Sequence, residues 1–322
     1  MKKIAIFAYD AGGSEILLEL LKASLHVGDF RVFCVKNSPC DMLIKDKELC
    51  DYQEIIEPNE AFVSNKLSIY NPDMILYGTG WQNHFEYYFL TYAKKYDVLS
   101  MAFLDNWTNF RERFGYPNKN WQENLPDFIA THDKNSEELA IFLGFKNTIT
   151  IKNYSLEKQL KDYRKLGIKE EDRLLFLSEP TAKVAKKSFG DENYWGFTEK
   201  DVFKSVLKFS TCKDIIVRLH PSDEAEVYKK IAPNITISSD KLLEDIARAK
   251  VIIGIDSSVL YLAFLLGKRV ISYIPSRNRD FYVPLPKTNQ VRSLKIVGII
   301  EKNHQAEKSF GIDFALFVKG KL

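Results

Sequence analysis

Long apolar runs are missing from this sequence of 322 residues. No stretch reaches the roughly 18 uninterrupted apolar residues that cross a bilayer, and "VLYLAFLLG" is the longest run in the second half. The beginning, "MKKIAIFAYD", passes directly into a strand pattern and lacks the apolar segment of a signal peptide. We therefore expect a cytoplasmic protein without a membrane span. Peripheral association with the inner membrane is the one membrane contact left open.

Cysteines and the usual cofactor motifs are scarce as well. The four cysteines show no Cys-x-x-Cys spacing, which predicts reduced thiols and neither a disulfide framework nor a zinc site. An Asp-x-Asp pair, the usual holder of a divalent ion against a nucleotide diphosphate, is absent. The dinucleotide fingerprint is absent too, because "GTGWQN" has Asn83 where the third glycine belongs. The sequence thus predicts no metal ion and no cofactor, and it argues against a dehydrogenase.

A large excess of charge of one sign is also missing. The formal net charge is +3, and the calculated pI is about 8.4. This mild excess favours an anionic ligand, and it is far from the basic stripe of a nucleic-acid-binding protein. We expect no nucleic-acid partner.

What the sequence does contain is a regular alternation of strand and helix patterns, which is typical of βαβ units with parallel sheets. The strand patterns are "KIAIFA", "RVFCV", "DMILYG", "VLSMAFLD", "DFIATH", "NTITI", "RLLFLSE", "DIIVRLH", "NITIS", "KVIIGID", "RVISYI" and "SLKIVGI". The helix patterns between them are "SEILLELLKASL", "NEAFVSNKL", "HFEYYFLTYAKKY", "SEELAIFLG", "TEKDVFKSVLKFS", "DEAEVYKKI", "KLLEDIARA" and "SSVLYLAFLLG". The fold class is therefore α/β.

The length suits two such domains. We place them at residues 1–160 and 161–322, divided within the polar stretch "NYSLEKQLKDYRKLGIKEEDR". The last residues, "EKSFGIDFALFVKGKL", predict an amphipathic helix that packs back on the amino-terminal domain. Ligands of α/β proteins bind at the carboxyl ends of the strands, so the cleft between two such sheets is the expected site.

The stretch "YDAGGSEILLELL" follows the first strand. Asp10 ends the strand, Gly12 and Gly13 predict a tight turn, and Ser14 predicts the cap of the next helix. Paired glycines let a ligand approach backbone N–H groups at a helix N-terminus. An ordinary βα turn with a capping acid explains the same pattern equally well.

The stretch "MAFLDNWTNFRERF" follows another strand and crowds polar residues around an aromatic one. A carboxylate such as Asp105, at a strand end beside Trp107, is placed to have a raised pKa and to act as a base. Arg111 and Arg113 are candidates for holding an acidic acceptor. The alternative is a loop aspartate that caps a helix, with the tryptophan in the core.

Two strand ends in the second half carry phosphate-binding patterns. In "DIIVRLHPSDE", His220 stands between a strand and Pro221, where it could donate a hydrogen bond or a proton to a phosphate. In "VIIGIDSSVLYLAFLLG", Ser257 and Ser258 open an apolar helix and form a candidate anion site. A structural histidine and a simple serine cap are the alternatives.

The helix pattern upstream, "SSDKLLEDIARAK", supplies two carboxylates. Asp240 and Glu244 are candidates for binding ribose hydroxyls, and each could equally be a solvated helix charge.

Together "RLHP" and "SSVLYLAFLLGK" resemble the His-Pro and Ser-Ser motifs of bacterial sialyltransferases and related Kdo and polysialic acid transferases. The resemblance implies the GT-B fold, two Rossmann-like domains with the active site between them. It implies a CMP-activated acidic sugar as donor, with His220 assisting departure of the CMP phosphate that Ser257 and Ser258 bind. It also implies that an acidic residue binds the ribose, with Asp240 as the first candidate and Glu244 as the second. CDP-glycerol transferases carry similar His-Pro pairs.

The family also has an Asp/Glu-Asp/Glu-Gly motif at a strand end of the first domain, where an acid deprotonates the acceptor. "FLDNW" resembles this motif at Asp105 and departs from it at Asn106 and Trp107. "DAGGSE" resembles the first-strand loop of GT-B enzymes, which faces the acceptor, so Asp10 competes for the role of base.

The sequence thus predicts a metal-independent, inverting glycosyltransferase. The donor would be a CMP-linked nonulosonic acid or Kdo, and the acceptor a glycan, glycolipid or protein bound near Gly12, Gly13, Trp107, Arg111 and Arg113. A UDP-sugar transferase, or an epimerase or hydrolase of the same fold, is one alternative. A non-catalytic binding protein of a glycan-assembly complex is another.

Overall fold

The computed structural model describes residues 1–80, 83–296 and 311–321. These residues form two compact units. One unit holds residues 1–157 with the described chain end, and the other holds the described residues from 158 to 296. The division falls at Glu157, in the polar stretch where the sequence predicted a boundary at 160.

The first unit is built on a parallel sheet of seven strands. The strands are β1 (Lys2–Phe7), β2 (Gly28–Val35), β3 (Gln53–Ile56), β4 (Met74–Gly78), β5 (Leu99–Leu104), β6 (Phe128–Thr131) and β7 (Thr148–Thr150). Their order across the sheet is β3-β2-β1-β4-β5-β6-β7. The helices are α1 (Ala11–Ser24), α2 (Pro39–Asp46), α3 (Glu60–Tyr70), α4 (Glu86–Tyr96) and α5 (Lys134–Phe142).

The central strands are apolar on both faces because helices cover both sides of the sheet. In β1, Ile4 and Ile6 belong to one buried cluster, and Ala5 and Phe7 belong to the cluster on the opposite face. This alternation follows from the two-residue period of a strand. It explains why "IAIF" is an unbroken apolar run.

The second unit repeats this plan with six parallel strands, in the order β10-β9-β8-β11-β12-β13. The strands are β8 (Arg173–Leu177), β9 (Asp214–Arg218), β10 (Thr236–Ile237), β11 (Val251–Gly254), β12 (Arg269–Tyr273) and β13 (Gln290–Val291). The helices are α7 (Thr181–Phe189), α8 (Glu199–Phe209), α9 (Ala225–Lys229), α10 (Leu242–Arg248) and α11 (Ser258–Leu265), and α6 (Tyr154–Lys165) spans the division between the units.

Each sheet reverses its strand order once, next to its first strand. In the first unit the reversal lies between β1 and β4, and in the second it lies between β8 and β11. Loops at the carboxyl ends of these strand pairs diverge to opposite faces of the sheet and leave a crevice, which is where open α/β sheets bind ligands. The fold thus marks one edge of each unit as a candidate site.

The carboxyl-terminal helix α12 (Phe314–Lys321) belongs to the first unit. Phe314, Phe317 and Val318 lie in the same buried cluster as Ile4 and Ile6. Just before the helix, Ile312 pairs with the backbone of the strand-end residues: its N–H donates to the Thr150 carbonyl at 2.8 Å.

Several elements differ from the sequence prediction. The strands β3 and β13 and the helices α2 and α7 were not predicted, because β3 and β13 are short and polar, and α2 and α7 lack a long apolar stripe. The predicted strand "SLKIVGI" is wrong in its first part, since Leu294–Ile296 is a 3-10 turn, and its residues 297–299 lie outside the described residues. Of the predicted terminal helix, residues 307–310 and 322 also lie outside them, and residues 311–313 are not helical, so the helix begins at Phe314. No helix within the described ranges has the length and apolarity needed to cross a bilayer.

Candidate functional site

Asp10 lies at the sheet reversal of the first unit, three residues after β1. It precedes α1 as the N-cap residue, yet its side chain makes no capping hydrogen bond. The carboxylate is solvent-accessible but partly enclosed by protein. This partial burial and the negative charge of Asp105 raise the pKa of Asp10, and the nearby Arg113 lowers it in part. A carboxylate with a raised pKa and no capping bond is suited to accept a proton.

Asp105 follows β5, which is separated from β1 by β4, and it forms an internal ion pair. Its Oδ1 accepts a hydrogen bond from Arg113 Nη1 at 2.7 Å. The same Nη1 donates to the carbonyl and the hydroxyl of Thr79, at 2.9 and 3.0 Å, and the Arg113 side chain is 6% exposed. The structure thus brings Asp10 and Asp105 together, but it commits Arg113 to Asp105. The prediction that Arg113 holds an acceptor stays without structural support.

The two glycines after Asp10 are helical, so the predicted tight turn is wrong. Gly12 and Gly13 lie in the first turn of α1, and Ser14 is buried inside the helix and does not cap it. A Cβ atom at Gly12 would lie 2.6 Å from Asp105 Oδ2. The glycine is needed here because the carboxylate approaches the helix backbone closely.

Trp107 and Arg111 are engaged in packing. Trp107 is 5% exposed, its Nε1 donates to Asp133 Oδ2 at 3.0 Å, and its ring meets His132 edge-on. Arg111 donates two hydrogen bonds to the carbonyl of Leu143 at the end of α5. Trp107 thus lies in the core, as the alternative interpretation predicted. The Arg111 side chain is bound to a backbone carbonyl within the same unit.

In the second unit, His220 follows β9 and is exposed. Its Nδ1 accepts a hydrogen bond from the Ser222 N–H at 3.1 Å, so in the neutral ring the proton lies on Nε2. The His220 N–H donates to Ser178 Oγ at 2.8 Å, which ties this strand end to the end of β8. Pro221 follows directly and is also exposed. The arrangement leaves a donor, Nε2, for a ligand.

The serine pair at the start of α11 divides into two roles. Ser257 is the N-cap, and its Oγ accepts the Val259 N–H at 3.3 Å. Ser258 is the first helical residue and is exposed. The Ser257 hydroxyl therefore caps the helix, as the alternative interpretation predicted. The Ser258 hydroxyl and the first N–H groups of the helix face outward and remain candidate anion ligands.

The two candidate ribose ligands lie at the start of α10. Asp240 is exposed and its Oδ2 is 3.5 Å from Arg248 Nε, and Glu244 stands in the first turn of the helix. The adjacent Asp245 is buried and accepts hydrogen bonds from Arg218 at 2.6 Å and from Ser238. Asp245 is thus a structural acid, and Asp240 and Glu244 remain accessible.

A cluster that the sequence analysis missed lies at the sheet reversal of the second unit. Glu179, after β8, accepts the Asp256 N–H at 2.9 Å with one oxygen and Arg279 Nη2 at 2.7 Å with the other. Asp256 Oδ1 accepts the N–H groups of Tyr282 and Val283 at 3.1 and 3.0 Å. Burial, and then the charge of Glu179, raise the pKa of Asp256 to about 6.

This cluster, Glu179 with Asp256 and Arg279, fixes the loop that leads into Ser257. In the sequence, this cluster could have been recognised only from the acids that follow two strands, in "LFLSEP" and "GIDSS". The role of Arg279 could not be recognised from nearby residues, because its partner Glu179 is one hundred residues away in the sequence. The Arg279 guanidinium also packs on the Trp195 ring at 4.9 Å, which holds it in place.

No protein-family model matches the chain, and no curated protein is significantly similar to it in sequence. Solved structures are similar in fold. UDP-GlcNAc 2-epimerase from Neisseria meningitidis, bound to UDP-GlcNAc, has a TM-score of 0.59 at 13% identity, over 84% of this chain and 82% of that one. HepE from Anabaena, in complex with UDP, has a TM-score of 0.58 at 12% identity, over 99% and 89%. MurG from Acinetobacter baumannii has a TM-score of 0.52 at 11% identity, over 85% and 78%.

These likenesses and the two parallel-sheet units confirm the predicted fold. The chain has two Rossmann-like units of the GT-B type. At such low identity the likeness extends to the fold alone.

Proposed function

We propose that the protein is an enzyme of nucleotide sugars that takes a UDP-sugar as donor, binds its diphosphate on the second unit and removes a proton with Asp10 of the first. The observation that supports the proposal is that each unit has a candidate edge of its own. A proton acceptor with a raised pKa lies at the sheet reversal of one unit. Anion ligands lie at the strand ends of the other.

The diphosphate would be bound by donors that need no metal ion. His220 Nε2 lies after β9, and the Ser258 hydroxyl and the first N–H groups of α11 lie after β11; these two strands flank β8, and all of these groups are hydrogen-bond donors. Such donors stabilise the negative charge that develops on a leaving phosphate. Asp240 or Glu244, both accessible, would accept hydrogen bonds from the ribose hydroxyls.

In the transfer step the bond between the sugar carbon and the phosphate oxygen breaks, and the acceptor oxygen bonds to that carbon. The acceptor proton goes to Asp10, and the nucleotide leaves with the bonding electrons. A single displacement of this kind inverts the sugar carbon. The partial burial that raises the pKa of Asp10 makes it a stronger base than an exposed aspartate.

A UDP-sugar is preferred as donor because structures of similar fold were solved with UDP or UDP-GlcNAc. Three structures of similar fold carry the name UDP-GlcNAc 2-epimerase, one of them as a provisional name, so epimerisation of a UDP-sugar is the variant that shares this donor. A CMP-linked acidic sugar is the second candidate, and the His-Pro and Ser-Ser motifs favour it. In either case a glycan, glycolipid or protein would be the acceptor of a transferase.

The first test is nucleotide binding. We expect UDP to raise the melting temperature more than CMP, CDP or thymidine diphosphate, since a ligand that binds only the native state stabilises it. His220→Ala should weaken this shift, whereas His26→Ala, at another exposed histidine, should preserve it. A larger shift with CMP than with UDP would favour the acidic-sugar donor, and no shift with any nucleotide would refute the proposal.

The second test is turnover, measured as release of nucleotide from a panel of UDP-sugars and CMP-sugars. Asp10→Asn should keep nucleotide binding and lose about 10²- to 10⁴-fold in rate, the usual contribution of a general base. Asp51→Asn, at an exposed aspartate of the same unit, is the matched control. Full activity in Asp10→Asn would assign proton removal to another group.

A further inference from the structure

Asp256 stands immediately before Ser257, the serine that caps α11. Its side chain is 3% exposed, and its Oδ1 accepts the N–H groups of Tyr282 and Val283 at 3.1 and 3.0 Å. Consecutive Cα atoms are about 3.8 Å apart, so the carboxyl group lies within roughly 10 Å of the first N–H groups of α11 whichever way it points. That is about one Debye length, and a buried charge is screened less than an exposed one. A charge on Asp256 therefore changes the electrostatic potential at the start of α11.

The cation beside Asp256 is committed to another carboxylate. Arg279 Nη2 donates to Glu179 Oε1 at 2.7 Å, whereas it lies 4.0 Å from Asp256 Oδ2. The Trp195 ring, 4.9 Å from the guanidinium, holds Arg279 in this position. The second oxygen of Glu179 accepts the Asp256 N–H at 2.9 Å, which fixes both acids at the same strand ends. An ionised Asp256 is thus left without full compensation.

The charge of this cluster depends on one proton. Among the described residues, the charged side chains that face Asp256 are Glu179, from the end of β8, and Arg279, from the segment after β12. Tyr282 and Val283 face it with backbone N–H groups. The cluster is therefore neutral when Asp256 is protonated and carries one negative charge when it is ionised. Burial and the charge of Glu179 raise the pKa of Asp256 to about 6, so both forms are populated at mildly acidic pH.

An anion at the start of α11 meets a different charge in each of these two forms. The candidate ligands there are the exposed Ser258 hydroxyl and the first N–H groups of the helix. An ionised Asp256 repels a diphosphate bound to them, whereas a protonated Asp256 does not. Because linkage is reciprocal, a bound diphosphate must favour the protonated form of Asp256 by the same factor.

We propose that Asp256 couples diphosphate binding at the start of α11 to the uptake of a proton, so that the site binds its nucleotide tightly when Asp256 is protonated and weakly when it is ionised. This inference rests on the proposed function and deepens it, because it names a regulation of the same site. Asp256 acts through its charge, and the groups that contact the phosphate remain Ser258 and the helix N–H groups. Affinity is highest below the pKa of Asp256 in the free protein and falls as the pH rises through about 6.

The first experiment measures binding against pH by calorimetry. UDP-glucose is the probe, because its diphosphate is esterified at both ends and does not titrate in this range. We expect its dissociation constant for the wild type to rise by about 10-fold between about pH 5 and about pH 8, a usual size for coupled sites. Asp256→Asn is neutral at every pH, so it should bind as the wild type does at the lower pH and about 10-fold more tightly at the higher.

Tighter binding by a variant is a result that loss of structure does not produce. Both proteins keep His220, so any pH effect of that side chain is the same in both. Asp280→Asn, at an exposed aspartate of the segment after β12, is the matched control and should follow the wild type. If the ratio of the two dissociation constants, wild type to Asp256→Asn, were the same at both pH values, the proposal would be overturned.

The second experiment uses the wild type alone. The amide NMR signals of Tyr282 and Val283 report their hydrogen bonds to Asp256, and we expect them to titrate with a midpoint of about 6 in the free protein. Saturating UDP-glucose should raise this midpoint by about one pH unit, which is the same coupling measured from the side of the proton. Sulfate, which keeps its charge in this range, should raise it as well.

UDP-glucose that binds without raising the midpoint would refute the coupling. The proposed function fails by a different result, the absence of binding by any nucleotide. If UDP-glucose does not bind, the sulfate titration decides, and a midpoint that sulfate leaves in place would also refute the coupling.

Discussion

At the scale of single residues, neighbours decide what each carboxylate of this chain can do. Asp105 is compensated by Arg113 at 2.7 Å, whereas Asp10 beside it is partly buried next to that negative charge and has a raised pKa. Asp256 is held by two backbone N–H groups, yet burial and Glu179 still raise its pKa to about 6. The same residue type thus serves as an ion-pair partner, a candidate base and a loop anchor.

Asp256 gives a prediction about pH. Its folded pKa of about 6 lies above its value of 3.8 in an exposed chain, so the native state binds the proton more tightly than the unfolded state. Its contribution to stability is therefore fully present below pH 3.8 and is lost as the pH rises through about 6. Asp256→Asn cannot titrate, and its amide oxygen can still accept the N–H groups of Tyr282 and Val283.

As the pH rises from about 4 to about 6, we expect the wild type to lose stability relative to Asp256→Asn. The difference between their free energies of unfolding should change by up to about 3 kcal/mol, the value for two pKa units. Urea unfolding at several pH values measures this change. Asp280→Asn, at an exposed aspartate of the loop that supplies the N–H groups of Tyr282 and Val283, should follow the wild type. If Asp256→Asn also ran parallel to the wild type, the raised pKa would be refuted.

At the scale of elements, the start of α1 shows local preference giving way to a long-range contact. Glycine is a poor helix former, yet the first turn of α1 contains Gly12 and Gly13. Their environments differ: a Cβ at Gly12 would lie 2.6 Å from Asp105 Oδ2, whereas a Cβ at Gly13 would lie 3.7 Å from the Gly78 Cα. The strand-end acid therefore requires glycine at the first position and not at the second.

The two glycines form a matched pair of variants. Gly12→Ala should destabilise the protein by about 1 to 3 kcal/mol, the usual cost of forcing extra atoms into a packed site, and it should displace Asp105. Gly13→Ala makes an ordinary contact, so the better helix propensity of alanine should leave stability unchanged or raise it by up to about 1 kcal/mol. Chemical denaturation of both variants measures this difference. Equal stability of the two would contradict the close approach of Asp105 to α1.

At the scale of the whole molecule, the chain end returns to the first unit. The second unit intervenes in sequence, but Phe314 of α12 is 0% exposed and lies in a cluster with strand β1, more than three hundred residues away. The first unit is therefore built from both ends of the described chain. Each unit has its own sheet, so damage to one core should be felt first in that unit.

This organisation predicts that a substitution in α12 destabilises the first unit more than the second. Phe314→Ala should cost about 3 to 5 kcal/mol, as large-to-small core substitutions do. Leu316→Ala, in the same helix but 65% exposed, should cost little. Hydrogen exchange should speed up in the strands of the first unit in Phe314→Ala, with less change in β8 and β9. Equal acceleration in both units, or none in the first, would contradict the assignment of α12.

Much of the fold was predictable because its signals are local. Buried strand segments such as "IAIF" and "MILY" are apolar at every position, and segments with a helical period separate them, so a parallel α/β fold follows from the pattern. The edge strands β3 and β13 were not predicted, because they bury few side chains and show no clear alternation of apolar and polar residues. The fold prediction is confirmed, and the roles of the site residues remain proposals.

The sequence by itself determined which residues stand at strand ends, since a strand pattern followed by a polar residue locates Asp10, Asp105, His220 and Ser257 without any coordinates. Only the tertiary structure decided what those residues do there. Arg113 binds Asp105, Trp107 packs inward, and Glu179 meets Arg279 from a hundred residues away. The physical reason is that a strand end is a local property of the chain, whereas charge compensation and burial depend on neighbours that only folding brings together.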